Sequence, residues 1–356
     1  MIPKVMIILG SSSDLKIAQK TTDIFETLEI PYSLKIASAH RTHEKVKALV
    51  IDSTEMGVEV FIGIAGLAAH LPGAIAAYTH RPVIGVPVDV KLGGLDALFA
   101  TSQLPFPDPV ATVGIDRGDN AAILAAQIIA TNNEEVKEGV SGLRKSFREK
   151  VKADDIDITS KIQGKYFQKD FLTDYDDLTE EKLNQEDLQT EKIFKESEEV
   201  SKDSPLVSVV LGSYSDVEEG KKVVSTLDKL GISYDISIIS PIRYPDKFKN
   251  YIEKMKDVKL FIGVSGLSAH VTGAIIAQSE KPVIGVPVSI ELNGLDALLS
   301  MANMPPGVPV GNVGIENGKN AGVLAGEILA LSDKDIEENL KTMKYKAADL
   351  WINYSK

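Results

Sequence analysis

Residues 5–14 read Val5-Met6-Ile7-Ile8-Leu9-Gly10-Ser11-Ser12-Ser13-Asp14: five apolar residues, a glycine, then a serine turn ending in an acid. A short continuous apolar run of this kind suits a strand buried on both faces, as in a parallel sheet covered by helices. The segment that follows, Leu15–Leu28, has a helical pattern, so the glycine and serines fall at a strand–loop–helix junction. The same stretch returns as Val207-Ser208-Val209-Val210-Leu211-Gly212-Ser213-Tyr214-Ser215-Asp216. Phe61–His70 returns as Phe261–His270, Pro82–Val88 is repeated residue for residue at Pro282–Val288, and Gly94–Leu98 at Gly294–Leu298. Gly212 follows Gly10 by 202 residues, whereas Gly263 follows Gly63 by 200. The second copy has therefore lost two residues between its second and third strands, around Tyr251–Asp257. Whole domains repeat, which argues against a solenoid.

Working outward, the first copy alternates strands and helices. Strands are expected at Val5–Leu9, Tyr32–Ile36, Val60–Gly63, Val83–Val86 and Val110–Val113. Helices are expected near Leu15–Leu28, Thr42–Met56, Leu71–Tyr78, Leu95–Ser102 and Asn120–Ala130. A charged amphipathic helix, Glu134–Lys152, closes the copy, and Lys334–Asn353 is its counterpart. The alternation predicts an α/β fold with parallel sheets in two domains related by duplication. The expected division is a first domain over 1–153, a charged linker over 154–204 and a second domain over 205–356. The linker is rich in Asp, Glu, Lys and Gln; Tyr166, Phe167 and Phe171 could dock locally, but a solvated segment with partial helix is the plainer reading.

Composition narrows the function. The chain has 356 residues, is 44% hydrophobic and 25% charged, and carries a formal charge of -12. That charge argues against nucleic acid or an acidic membrane surface as a partner, while leaving room for a basic pocket holding one phosphate. Cysteine is absent, which removes disulfides, thiolate nucleophiles and cysteine-ligated metals. Met1–Lys4 leads straight into a strand without the pattern of a signal peptide, and the apolar stretch Phe61–Tyr78 is broken by His70, Pro72 and three glycines. A cytoplasmic location is the expectation.

Three loops, each after a strand, hold the candidate chemistry. In Gly10–Asp14, backbone N–H groups and serine hydroxyls at a helix start suit a phosphate, and an acid suits ribose hydroxyls; the alternative is a plain helix cap. In Ser38-Ala39-His40-Arg41-Thr42, Arg41 offers a fork for phosphate and His40 a group that exchanges protons near neutral pH; the alternative is an exposed His–Arg pair. In Gly63–Gly73, small residues allow close approach to a ligand, and His70 either contacts that ligand or fixes the loop. Open α/β sheets bind ligands at the carboxyl ends of their strands, where all three loops fall.

Together Gly-Ser-x-Ser-Asp, Ser-Ala-His-Arg-Thr and Gly-Leu-Ala-Ala-His-Leu-Pro-Gly resemble the PurE family, the class I N5-carboxyaminoimidazole ribonucleotide mutases, also known as phosphoribosylaminoimidazole carboxylase catalytic subunits. Gly85-Val86-Pro87-Val88, Leu104-Pro105 and Asn120-Ala121-Ala122 continue the likeness, over about residues 4–153 and more weakly 206–355. The resemblance implies flavodoxin-like three-layer αβα sandwiches that assemble as octamers; here a tetramer of two-domain chains would supply eight units, with Ala74–Tyr78 and Ala274–Ala277 as candidate interface helices. It also implies carboxyl transfer on aminoimidazole ribonucleotide in purine biosynthesis, with CO2 as intermediate and no metal or other cofactor. Direct carboxylation by CO2 and a non-catalytic nucleotide-binding scaffold remain alternatives. The resemblance assigns His40 as the catalytic residue and Ser11, Asp14, Ser38, Arg41, Gly66 and His70 as substrate contacts.

Two departures in the first copy bear on loop geometry. His43 stands where the family usually has proline, and Phe106-Pro107-Asp108-Pro109 replaces the more usual Pro-x-Gly-x-Pro-like stretch, which the second copy keeps as Pro305–Pro309. The second copy departs further. Its loop reads Ser240-Pro241-Ile242-Arg243-Tyr244-Pro245, so Ile242 takes the histidine position. Ser213, Asp216, Arg243 and His270 remain, either as loop caps left by duplication or as a site that binds without converting.

Overall fold

A computed structural model describes residues 2–161 and 205–354. Most of the expected linker, with Tyr166, Phe167 and Phe171, lies outside the described residues. Both copies fall in one compact unit, 1–141 with 204–356; a second unit covers 142–203.

The first copy runs β1 (Val5–Leu9), α1 (Leu15–Thr27), β2 (Tyr32–Ile36), α2 (His43–Glu55), β3 (Val60–Gly66), α3 (Leu71–Ala76), β4 (Val83–Val88), α4 (Leu95–Ser102), β5 (Ala111–Thr112), α5 (Gly118–Ile129) and α6 (Glu134–Lys161). The second runs β6 (Val207–Leu211), α7 (Val217–Leu230), β7 (Tyr234–Ile238), α8 (Pro245–Lys254), β8 (Leu260–Gly266), α9 (His270–Gln278), β9 (Val283–Val288), α10 (Leu295–Ala302), β10 (Gly311–Asn312), α11 (Gly318–Leu329) and α12 (Lys334–Tyr354). The two lost residues fall at the end of a helix: α8 has 10 residues against 13 in α2, and the loop after it is one residue longer, 255–259 against 56–59. β3 and β4 run further than expected, to Gly66 and Val88, β5 keeps only two residues, and α6 extends to Lys161, into the expected linker.

In each copy the strands pair in parallel, in the order 2-1-3-4-5 of doubly wound flavodoxin-like sheets. Alternation along β1 sends Val5, Ile7 and Leu9 into one core layer and Met6 and Ile8 into the other. The first layer continues through Val207, Val209 and Leu211 of β6, so one core runs through both copies. The sequence did not signal the joint between them. β5 and β10 meet antiparallel at Thr112 and Asn312, and Asn312 Nδ2 donates to Thr112 O at 3.1 Å, making one ten-stranded sheet of two parallel halves.

Around this joint the copies exchange polar contacts in near-twofold fashion. Buried Asn120 donates to the carbonyls of Met304 (3.2 Å) and Pro305 (3.0 Å), and its Oδ1 accepts from Gly307 N at 3.0 Å. Asn320 mirrors it, donating to Leu104 O (3.1 Å) and Pro105 O (3.2 Å). Lys344 lies 2.8 Å from Glu327 and 3.4 Å from Asp108, which gives the unusual Pro107-Asp108-Pro109 stretch a structural partner. Burial pushes the Glu327 carboxyl up to about 7 against the pull of Lys344. His80 and Glu337 pair at 2.9 Å.

Candidate active site

The loops after β1, β2 and β3 leave adjacent strands at their carboxyl ends, where the chain reverses from β2 back past β1 to β3. They enclose a cavity of about 490 Å³. Ser11, Asp14, Ser38, His40, Arg41 and Gly66 all line it, so residues as far apart as 11 and 66 converge on one space. His70 is held at its side through His40, whose Nε2 lies 2.9 Å from His70 Nδ1 with the rings edge-on. One nitrogen of that contact must carry a proton, so the pair shares one and leaves the other ring nitrogens free to exchange with a ligand.

Each side chain has a local reason for its place. Ser11 caps the short turn before α1 by accepting from Ser13 N at 3.3 Å, so the capping role and the cavity position coincide. Asp14 is 4% exposed, and burial raises its carboxyl above the usual range although Ser13 Oγ donates to it at 2.9 Å. Ser38 ties its loop: its Oγ accepts from Arg41 N (3.3 Å) and Nε (3.4 Å), and its backbone N donates to Thr42 Oγ1 at 2.9 Å. Arg41 Nη2 reaches Gly10 O at 3.2 Å, which aims the guanidinium between the first two loops. His43 meets Tyr78 OH at 2.8 Å.

Gly66 is dictated by space. A Cβ there would stand 2.5 Å from Val90 Cγ2 and 3.1 Å from Val88 O. The next residue, Leu67, has φ +58, a left-handed conformation costly for a branched side chain and typical of constrained ligand loops. Ser13 and Ala65 line the cavity from within the candidate loops, whereas Val90, outside all three, was not singled out from the sequence. Val90 follows β4, and the rule placing ligands at strand carboxyl ends could have found it. Among the described residues, no group of three or more His, Asp or Glu side chains is placed to hold a metal ion.

The second copy builds a smaller pocket of about 210 Å³. Ser213, Asp216, Ile242, Arg243 and His270 line it. Ser213 and Asp216 form a reciprocal cap, with Ser213 N donating to Asp216 Oδ2 at 2.8 Å. Ile242 offers His270 no hydrogen bond, and His270 Nδ1 lies 2.8 Å from Ser268 Oγ instead. Ser265 lines this pocket where Ala65 lines the first.

Fold and site together define a flavodoxin-like α/β sandwich with a cavity at the strand-order switch into which serine, aspartate, histidine and arginine side chains are set. The chain belongs to the AIR carboxylase family, which matches residues 4–150 and again 206–349. It is 57% identical to a probable N5-carboxyaminoimidazole ribonucleotide mutase of Methanothermobacter thermautotrophicus over 97% of this chain and 98% of the relative. It is 51% identical to a probable mutase of the same name from Methanobrevibacter smithii, over 98% of this chain and all of that one. The N5-carboxyaminoimidazole ribonucleotide mutase of Methanocaldococcus jannaschii is 51% identical over 42% of this chain and 94% of its own.

Proposed function

We propose that the chain is an N5-carboxyaminoimidazole ribonucleotide mutase of purine biosynthesis, working through the first copy. The observation that carries this reading is the convergence of Ser11, Asp14, Ser38, His40 and Arg41 on one cavity, with His70 bonded to His40. Arg41 and the serine loop suit a 5′-phosphate, Asp14 suits ribose hydroxyls, and His40 faces the ring. The carbamate at N5 loses CO2 as His40, protonated, delivers its proton to that nitrogen. Ring carbon C4 then attacks the CO2, and neutral His40 takes the C4 proton, restoring the starting state. Holding CO2 beside C4 replaces a bimolecular encounter by a local one. The scheme calls on no ATP, biotin or metal.

In this reading residues 1–153 form the catalytic domain and 205–356 a domain silent in turnover, because Ile242 cannot exchange a proton. The chain acts in the cytoplasm as a tetramer whose eight copies form a closed assembly, to be checked by light scattering; a monomer at working concentration would refute it. Among the described residues no helix is long and apolar enough to cross a membrane. The activity is tested by supplying purified N5-carboxyaminoimidazole ribonucleotide without bicarbonate. Isomerisation to the 4-carboxy nucleotide is expected. Product formed only from aminoimidazole ribonucleotide and bicarbonate would establish direct carboxylation instead, and no product with retained binding would indicate a scaffold.

A further inference from the structure

In the first copy the His40–His70 contact bridges the loops after β2 and β3 and closes one end of the cavity. The second copy has no such bridge. Its pocket continues past Pro241, Ile242, Ala269 and His270, which also line an adjoining cleft of about 410 Å³. That cleft is largely apolar, with Phe248, Ala274 and Met304 in its walls. The corresponding place in the first copy is occupied: His43 and Tyr78 join across it at 2.8 Å, and a Cβ on Gly73 would meet Leu104 Cδ1 at 3.0 Å. In the second copy Pro245 and Gln278 replace that pair, and a Cβ on Gly273 would meet nothing within 4 Å among the described residues.

The polar end separates capping residues from a ligand residue. Ser213 and Asp216 already cap their turn, so duplication alone accounts for them. Arg243 is different. It is exposed, its backbone N donates to Ser240 Oγ at 3.3 Å, and its side chain has no hydrogen-bond or ion-pair partner among the described residues. Arg41, by contrast, is tied to Gly10 O and Ser38 Oγ. An untethered guanidinium beside serine hydroxyls and a helix start is equipped to hold an anion such as a phosphate.

We propose that the second copy is a non-catalytic binding site for a ribonucleoside 5′-monophosphate whose base is larger than one imidazole ring, a purine nucleotide being the fitting class. The phosphate lies at Arg243 and the serine loop, the ribose beside Asp216, and the base crosses Ile242 into the apolar cleft. Loss of the histidine thus does two things: it ends proton transfer and opens the way to the cleft. The assignment rests on reading the first copy as a ribonucleotide site, and the test keeps the two apart.

Equilibrium dialysis of the full chain against inosine 5′-monophosphate should give one equivalent bound per chain outside the first copy. Arg243→Ala should weaken it by about 10- to 100-fold, the loss expected for charge-assisted hydrogen bonds to phosphate, while Arg41→Ala leaves it in place. Gly273→Leu, which fills open space on a helix, should weaken the nucleotide while ribose 5-phosphate still binds, and a urea melt will establish that this variant is folded. Absence of binding at millimolar nucleotide, binding that follows Arg41 instead of Arg243, or indifference to Gly273→Leu would overturn the proposal. Turnover measured in parallel reports on the first copy. Turnover lost with Arg41 while inosine 5′-monophosphate ignores Arg243 overturns only the second site; binding that follows Arg243 in a chain without turnover overturns only the reading of the first.

Discussion

Replacing Asn120 by alanine should destabilise the whole chain more than the same change at its mirror position, Asn320. Asn120 is 1% exposed and makes three hydrogen bonds across the joint, to Met304 O, Pro305 O and Gly307 N. Each such bond contributes about 1 kcal/mol net, so Asn120→Ala should cost about 3 kcal/mol, and it strands the buried Gly307 N–H. Asn320 makes two, and Leu104 O keeps a second donor, Asn317 Nδ2 at 2.9 Å. Its loss should therefore cost about 1–2 kcal/mol. Equilibrium unfolding in urea, followed by circular dichroism and by fluorescence, measures both. A shared core predicts that the two probes trace one transition in wild type. Asn320→Ala proving as costly as Asn120→Ala, or Asn120→Ala costing under about 1 kcal/mol, would refute the view that these bonds hold the copies together.

His40→Asn should lower kcat by about 10²–10⁴-fold while nucleotide affinity stays within a fewfold, as measured by single-turnover kinetics and dialysis. Half the activity surviving would mean that each copy works alone. Gly66→Ala should cost about 1–3 kcal/mol in urea, because its Cβ meets the Val88 carbonyl and Val90, and should disturb turnover by moving the loop that carries His70. Glu327 supplies a pH test. Its folded value of about 7 lies above the unfolded 4.5, so the folded state keeps a proton that the unfolded state gives up, and its contribution to stability is lost as pH rises through that window. Relative to Glu327→Gln, wild type should therefore lose up to about 3 kcal/mol between pH 4.5 and pH 7 and little more above, and parallel stability curves for the two proteins would contradict this.

Elements whose cause is local were legible in the sequence. The β-branched runs of β1, β3 and β4 and the glycine–serine junction after β1 announced themselves by composition, and repetition at a near-constant offset fixed the duplication. Contacts made by one or two residues at long range were not legible. The joint of the sheet rests on Thr112 and Asn312, and a two-residue strand has no periodicity to read. Asn120 and Asn320 look like helix-start residues, because their carbonyl partners lie about 185–216 positions away. At the site, the loops and residue types were readable one by one. The bond between His40 and His70 was not, since it depends on how the left-handed turn at Leu67 aims its loop. The same limit hid the cleft beside Ile242, which arises from three substitutions scattered over Pro245, Gln278 and Met304.

The joint also decides how much unsatisfied backbone the protein presents to its neighbours. Two five-stranded sheets kept apart would offer four margins at which a foreign strand could pair; zipped at Thr112 and Asn312, they offer two among the described residues, β2 and β7. Both margins show isoleucines to water, Ile36 at 45%, Ile236 at 42% and Ile238 at 49% exposed, which would invite stacking were the strands bare. β2 carries the exposed Lys35, a charge that an added strand would have to desolvate, whereas the acid of β7, Asp235, is half-buried and already bound by Tyr251 and Ser237. In a crowded solution of this chain the β2 margin is thus guarded by an ionic residue, and the β7 margin is the one more open to a foreign strand.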